Sequence, residues 1–174
     1  MRKLTVEMNL LKDIKRSWAR IGSEFSSFWK NYLYQSFLAA IVLAIVMLVL
    51  TIEHAVVISS IGATAFIVFL MPRNVTATSR RVIGGHIIGL VSGSLAAFIP
   101  HHVTFSYVIV YAIAVGVSAF LMVALDFEHP PASGTALGIA ITGSSLAVWV
   151  AVLTSSIILS LTHRFFKKHL RDLT

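Results

Sequence analysis

Glu128-His129-Pro130-Pro131-Ala132-Ser133-Gly134-Thr135-Ala136 is the stretch whose residue types and order bear most directly on chemistry. A proline in the first turn of a helix costs nothing there, because that N–H lacks a partner in any case. It also drives the preceding residue out of the α region. His129 is therefore expected in an extended connection just ahead of a helix. The small and hydroxyl residues behind it leave access open. A helix start offers unpaired N–H groups and partial positive charge, an arrangement suited to a small anion. Pro130, Pro131, Ser133, Gly134 and Thr135 are accordingly candidate substrate contacts beside His129. A plain turn closed by two prolines fits the same residues.

Two further stretches carry similar chemistry. Ile52-Glu53-His54 precedes Ser60-Ile61-Gly62-Ala63-Thr64-Ala65, much as Phe127-Glu128-His129 precedes the small residues after Pro131. Ser59, Ser60, Gly62 and Thr64 are the matching candidates for contact with an ion. In Arg81-Val82-Ile83-Gly84-Gly85-His86, the glycines would let backbone approach a ligand, with His86 one turn on. A carboxylate on an anion path repels the ion until it takes a proton. Glu128 with His129, and Glu53 with His54, therefore form a proton-coupling hypothesis. Gly85, Gly89 and Gly93 recur every fourth residue and let another helix approach closely, which also offers a contact for a second copy of the chain.

Other chemistries find little support. The chain has no cysteine, which removes disulfides and thiolate chemistry. His101 and His102 alone are too few ligands for zinc. No phosphate-cradling glycine loop, zinc-protease motif or serine elbow is present. No metal and no cofactor are expected. An intramembrane enzyme would need a paired nucleophile and base, for which only Ser133 near His129 offers itself.

The elements that must position these residues follow from composition. Of 174 residues 57% are hydrophobic and 12% charged, with a mean hydropathy of +0.87. A soluble domain carries about twice that charge, so lipid is the fitting solvent. Apolar segments run over 34–52, 55–71, 82–99, 104–125, 131–144 and 146–163. About 20 residues are needed to span the hydrocarbon. The second and fifth segments are short and interrupted by glycine, as broken or partly inserted helices would be. The fold class is thus an all-α polytopic membrane protein of six hydrophobic helices. They divide into two three-helix halves of inverted topology, an arrangement that places transporter sites at the repeat interface.

The net charge of +7 does not point to nucleic acid. The 14 Lys and Arg residues fall only in Arg2–Lys30, at Arg73, Arg80 and Arg81, and in Arg164–Arg171. Basic residues confined to the flanks of apolar runs mark cytoplasmic loops, so both termini are expected inside with an even number of crossings. Residues 1–33 carry Leu4, Met8, Leu11, Ile14, Trp18, Ile21, Phe25, Phe28 and Tyr32 at helical spacing among basic residues. That is an amphipathic helix lying on the inner leaflet or docking on a partner. Residues 34–163 form the membrane domain and 164–174 a basic tail. The late start of the first apolar run argues against a cleavable signal peptide.

The His-Pro-Pro run, the Ser60–Ala65 block and the Arg81–His86 block occur in the order seen in the HPP family of integral membrane proteins. The chain resembles that family over roughly residues 34–163. It departs from the family pattern by reading Ser79-Arg80-Arg81-Val82 and by placing a serine within Pro-Pro-Ala-Ser-Gly. The resemblance implies a transporter of nitrite or a similar small inorganic anion. The expected surroundings are a lipid bilayer, of the bacterial inner membrane foremost. Two alternatives stand beside it: a channel for a small neutral solute, and a sensor or assembly subunit holding a soluble partner.

Overall fold

The apolar segments become helices with nearly the expected limits. The structure, a computed structural model, describes residues 2–49, 55–100 and 104–173. Among the described residues six helices follow in order: α1 Arg2–Val49, α2 Ala55–Leu70, α3 Ser79–Ala97, α4 Thr104–Ala124, α5 Pro131–Thr142 and α6 Leu146–Phe166. Short 3-10 turns occupy Val75–Ala77 and Lys167–His169, and no strand occurs among the described residues. Glu53, His54, His101 and His102 lie outside the described residues.

The chain separates into two units, Met1–Tyr34 and Gln35–Thr174. In the first, the α1 backbone leaves helical geometry at Phe28 (φ −128°, ψ 15°). Leu11, Ile14, Trp18, Ile21 and Phe25 are exposed there, so the apolar stripe read from the sequence is uncovered within its own unit.

The second unit packs its helices with polar groups inside and large apolar groups outside. Ile87, Leu95, Val108, Ile113, Phe120, Val123, Val150, Leu161 and Phe165 are exposed, while Ser60, Thr64, His86, Ser118, His129, Thr135, Ser155 and His163 are buried. In water this distribution would be costly; in lipid it is the expected one. Helices α4 and α6 contribute the apolar stretches Ser106–Ala124 and Leu146–His169, long enough to cross a membrane, as does Leu11–Met47 in α1. Helix α2 is apolar but shorter. Helix α5 has 12 residues, about 18 Å at 1.5 Å per residue, which is well short of the roughly 30 Å hydrocarbon thickness.

Local sequence explains the short helix. Pro131 opens α5, and Gly143 ends it at φ 89°, donating its N–H to Ile139 O at 2.9 Å. The Gly143 ψ of 163° combines positive φ with extended backbone, a conformation that glycine alone adopts readily. Ser145 then caps α6, its hydroxyl oxygen accepting from Val148 N–H at 3.3 Å. The expected break at Gly143-Ser144-Ser145 thus follows from one stop signal and one start signal placed side by side.

The glycine stripe has a different use from the one offered for a second copy. A side chain at Gly89 would run into Ala132 O, and one at Gly93 would come within 2.5 Å of Ala136 O and 2.9 Å of Ile139 Cβ. Helix α5 of the same chain therefore fills this groove on α3. Of the three glycines, Gly89 and Gly93 face α5 and Gly85 faces His129, since glycine permits two backbones to lie this close.

The basic tail is docked. Gln35 donates from Nε2 to Phe69 O at 2.6 Å and to Arg171 O at 2.7 Å, while Arg171 N–H donates to Gln35 Oε1 at 3.2 Å. Leu173 N–H donates to Leu70 O at 2.9 Å, and Arg73 N–H to Asp172 Oδ1 at 2.9 Å. These bonds close the end of α2, whose last carbonyls would otherwise lack partners.

Candidate functional site

The three motifs read from the sequence converge on one buried cluster. Thr64 on α2 stands at its centre, its Oγ1 2.9 Å from His86 Nε2 on α3 and 2.9 Å from His129 Nε2 ahead of α5. His86 Nδ1 lies 2.9 Å from Thr135 Oγ1, and Thr135 Oγ1 lies 2.8 Å from Ser60 Oγ. The ring centroids of His86 and His129 are 5.3 Å apart. Thr64, His86, His129 and Thr135 are 0% exposed and Ser60 4%. Five polar side chains from three helices and one connection thus share a single network inside an apolar exterior.

Each member is positioned by a feature of its own segment. Ser60 and Thr64 are four residues apart on α2 and so lie on one face. Ser60 also donates to Pro131 O at 2.5 Å, which ties α2 to the start of α5. His129 can approach α3 beside His86 because Gly85 has no side chain: a Cβ there would sit 2.6 Å from His129 Cβ. His129 Nδ1–H donates to Thr76 O at 2.9 Å. A carbonyl only accepts, so this bond fixes the proton on Nδ1. Thr76 is in turn held by Asn74, whose Oδ1 accepts from Thr76 N–H and Thr76 Oγ1 at 2.9 Å each.

Other expected contacts fall elsewhere. Ser59 is exposed, and a Cβ at Gly62 would meet nothing within 4 Å. One residue turns a helix by about 100°, so neighbours of Ser60 and Thr64 leave the face that bears the site. Gly84 packs against the Phe127 ring instead of a ligand. Gly134 packs against Ser60, its would-be Cβ 3.3 Å from Ser60 Cβ. Pro130 is exposed while Pro131 is buried. Ser133 faces Ser118 on α4 at 3.4 Å, whereas the ring nitrogens of His129 meet Thr64 and Thr76.

The N–H groups expected to meet an anion at the start of α5 are already engaged. Pro130 and Pro131 have none, Ala132 N–H donates to His129 O at 2.8 Å, and Ser133 N–H donates to Pro130 O at 3.1 Å. The prolines force a tight first turn that closes on its own carbonyls. The side-chain hydrogen-bonding groups gathered at this helix start are imidazole and hydroxyl.

Glu128, next to His129 in sequence, belongs to a separate cluster. Arg81 bridges Glu128 and Asp126, and Arg80 Nη1 meets Asp126 Oδ2 at 2.6 Å. Arg80 also stacks over the Phe127 ring at 4.7 Å, a cation–π contact. The hydrogen bond from Arg80, with the nearby Arg81 charge, holds the Asp126 carboxyl below its ordinary range. Asp126 has a left-handed backbone (φ 59°), which Asp tolerates better than most residues. Sequence reasoning missed Thr76 and Asn74. Thr76 acts through its carbonyl, which no side-chain pattern reports. No group of three or more metal-ligating side chains occurs among the described residues.

Comparisons with known proteins agree with this architecture. A transmembrane protein of Dictyostelium discoideum is 30% identical over 116 residues, covering 63% of this chain and 40% of the relative. The chain thus spans less than half the length of that curated relative. No solved structure matches. Residues 26–172 match the family described as HPP, transmembrane region. With apolar helices outside and a polar network within, this chain is an integral membrane protein of the HPP family.

Proposed function

We propose that the chain moves a small inorganic anion, nitrite foremost, across a membrane, with protons coupled to its passage. One observation supports this reading above the others: the buried network of Ser60, Thr64, His86, His129 and Thr135. Polar side chains at membrane depth are costly and mark substrate or proton pathways by default. Imidazole N–H and hydroxyl groups suit an ion that accepts hydrogen bonds. Binding would exchange one internal bond of the network for one to the ion. The short helix α5 and the facing α2 would line the path, as discontinuous helices do in transporters built from inverted repeats. Both termini would face the cytoplasm and the membrane would be a bacterial inner membrane, because the basic residues gather at one set of loop ends.

Nitrite flux into liposomes, with and without an inward proton gradient, tests this reading. It predicts a flux that rises with the gradient and falls by about a hundredfold in His129→Ala. Flux unaffected by membrane potential would favour a neutral solute. No flux from folded protein, with a soluble protein bound to the exposed face of Leu11, Ile14 and Trp18, would favour the sensor or assembly role.

A further inference from the structure

Basic side chains gather where the tail closes on the end of α2. A cavity of about 440 Å³ is lined by Arg73 of the α2–α3 connection and by Lys168, His169, Leu170, Arg171 and Asp172 of the tail. Arg73, Lys168, His169 and Arg171 are exposed, whereas Leu170 belongs to the apolar core. Asp172 brings a carboxylate to the lining, and its Oδ1 accepts from Arg73 N–H at 2.9 Å. Among the described residues no carboxylate pairs with the side chain of Arg73 or Lys168.

The backbone that carries these charges is held by the fold. Gln35 bonds Arg171 at both its N–H and its carbonyl, and Leu173 N–H reaches Leu70 O. His163 Nε2 lies 3.0 Å from Pro72 O, beside Arg73. Like charges brought to one opening repel each other, and a bound anion relieves that repulsion. A site whose backbone is already ordered also loses less freedom on binding.

The cavity lies at the end of a stripe that suits a lipid chain. Ile157, Leu161 and Phe165 are exposed and recur every fourth residue, on one face of α6. Lys168 follows three residues later, in the turn that ends the helix. Ile157 to Lys168 spans about 16 Å at 1.5 Å per residue, which matches one leaflet, about half of the 30 Å hydrocarbon thickness. A chain lying on this stripe brings its phosphate to the level of Lys168.

We propose that the cavity binds the headgroup of an anionic phospholipid, with an acyl chain along Ile157, Leu161 and Phe165. Arg73 and Arg171 offer paired N–H donors to the phosphate oxygens, and Lys168 adds a compact charge. Basic pockets at the cytoplasmic ends of membrane helices hold anionic headgroups by this chemistry. Asp172 selects among anions. Its carboxylate accepts from the hydroxyls of a glycerol headgroup but repels a free inorganic anion, which also lacks a chain for the stripe. A choline headgroup would set its own cation against Arg73 and Lys168. The bound phosphate ties the α2–α3 connection to the tail, reinforcing the bond between Arg73 N–H and Asp172. The site is separate from the buried network and does not depend on which solute the chain carries.

The test uses the purified chain, stripped of lipid in detergent. It is titrated with phosphatidylglycerol, phosphatidylcholine or inorganic phosphate, reading the unfolding temperature and counting retained lipids by native mass spectrometry. Phosphatidylglycerol should raise the unfolding temperature and remain bound, while the other two should do neither. Arg73→Gln combined with Lys168→Gln should weaken phosphatidylglycerol binding about twenty-five-fold, about fivefold for each charge. Arg73→Lys with Lys168→Arg keeps both charges and should keep most of the binding. Lys12→Gln with Lys15→Gln removes as many charges from α1 and should change it by less than about twofold. An equal response to phosphatidylcholine would overturn the proposal, as would an equal response to inorganic phosphate, which would make this a soluble-anion site. An equal loss in the α1 pair would reduce the effect to surface charge and overturn it too. Should the glutamine pair fail to fold, the three probes on the wild type decide alone.

Discussion

His129 and Glu128 are adjacent in sequence, yet they belong to regions with opposite physics. His129 enters a network of uncharged partners, the buried Thr64 and the half-buried Thr76. Glu128 turns to Arg81 and joins a charged cluster whose outer members, Arg80 and Asp126, are more than half exposed. In the first region a lost hydrogen bond leaves a buried polar group with no water to replace it. In the second, water and salt screen the outer Arg80–Asp126 pair more than the half-buried bridge from Arg81 to Glu128. The connection between α4 and α5 joins the two: ion pairs hold its outer side to α3, and the histidine is presented inward.

The largest expected effect comes from the dry side. His86→Ala removes the ring that joins Thr64 to Thr135 and leaves a cavity, and should cost about 2–3 kcal/mol, read as a fall in thermal unfolding temperature in detergent. A variant as stable as the wild type would mean that the network contributes nothing to the fold. Next comes the packing that brings α3 and α5 together. Gly89→Val would drive a side chain into Ala132 O and should cost about 1–3 kcal/mol by overpacking. Its effect should persist at high salt.

The charged side should respond more weakly and to different variables. Arg81→Gln removes the ion pair to Glu128 and leaves Asp126 paired with Arg80, and its loss of stability should be smaller than that of His86→Ala and shrink in part as salt is added. Equal sensitivity at low and high salt would contradict a screened cluster. The smallest effect is a pH dependence. Asp126 has a folded-state pKa below its unfolded value, so its contribution is present above the ordinary carboxylate range and disappears as pH falls through the lowered value. Acid titration of unfolding should show this loss in the wild type and less of it in Arg80→Gln.

Much of the architecture was legible because its signals are local. Pro130-Pro131 and Gly143 mark the ends of α5, and apolar run lengths give the helix limits within a few residues. The site was legible in part. Ser60, Thr64, His86, His129 and Thr135 lie in the three motifs, and the structure brings all five together. Which neighbours would turn away depends on helix phase against specific partners, so Ser59 and Gly62 could not be told from Ser60 and Thr64 by type alone. The glycine stripe showed that some helix must come close, but not that α5 of the same chain would be that helix. Thr76 and Gln35 bond across the fold to groups 53 and up to 136 residues away, and no local pattern announces such pairs.

The most direct test sets the two regions against each other in one assay. Nitrite flux would be measured in matched proteoliposomes of wild type, His129→Asn and Arg81→Gln, each shown to be folded by its unfolding transition. The account predicts that His129→Asn loses most of the flux while Arg81→Gln keeps most of it. A collapse in Arg81→Gln with flux retained in His129→Asn would place the function in the charged connection and contradict the buried network as the working site.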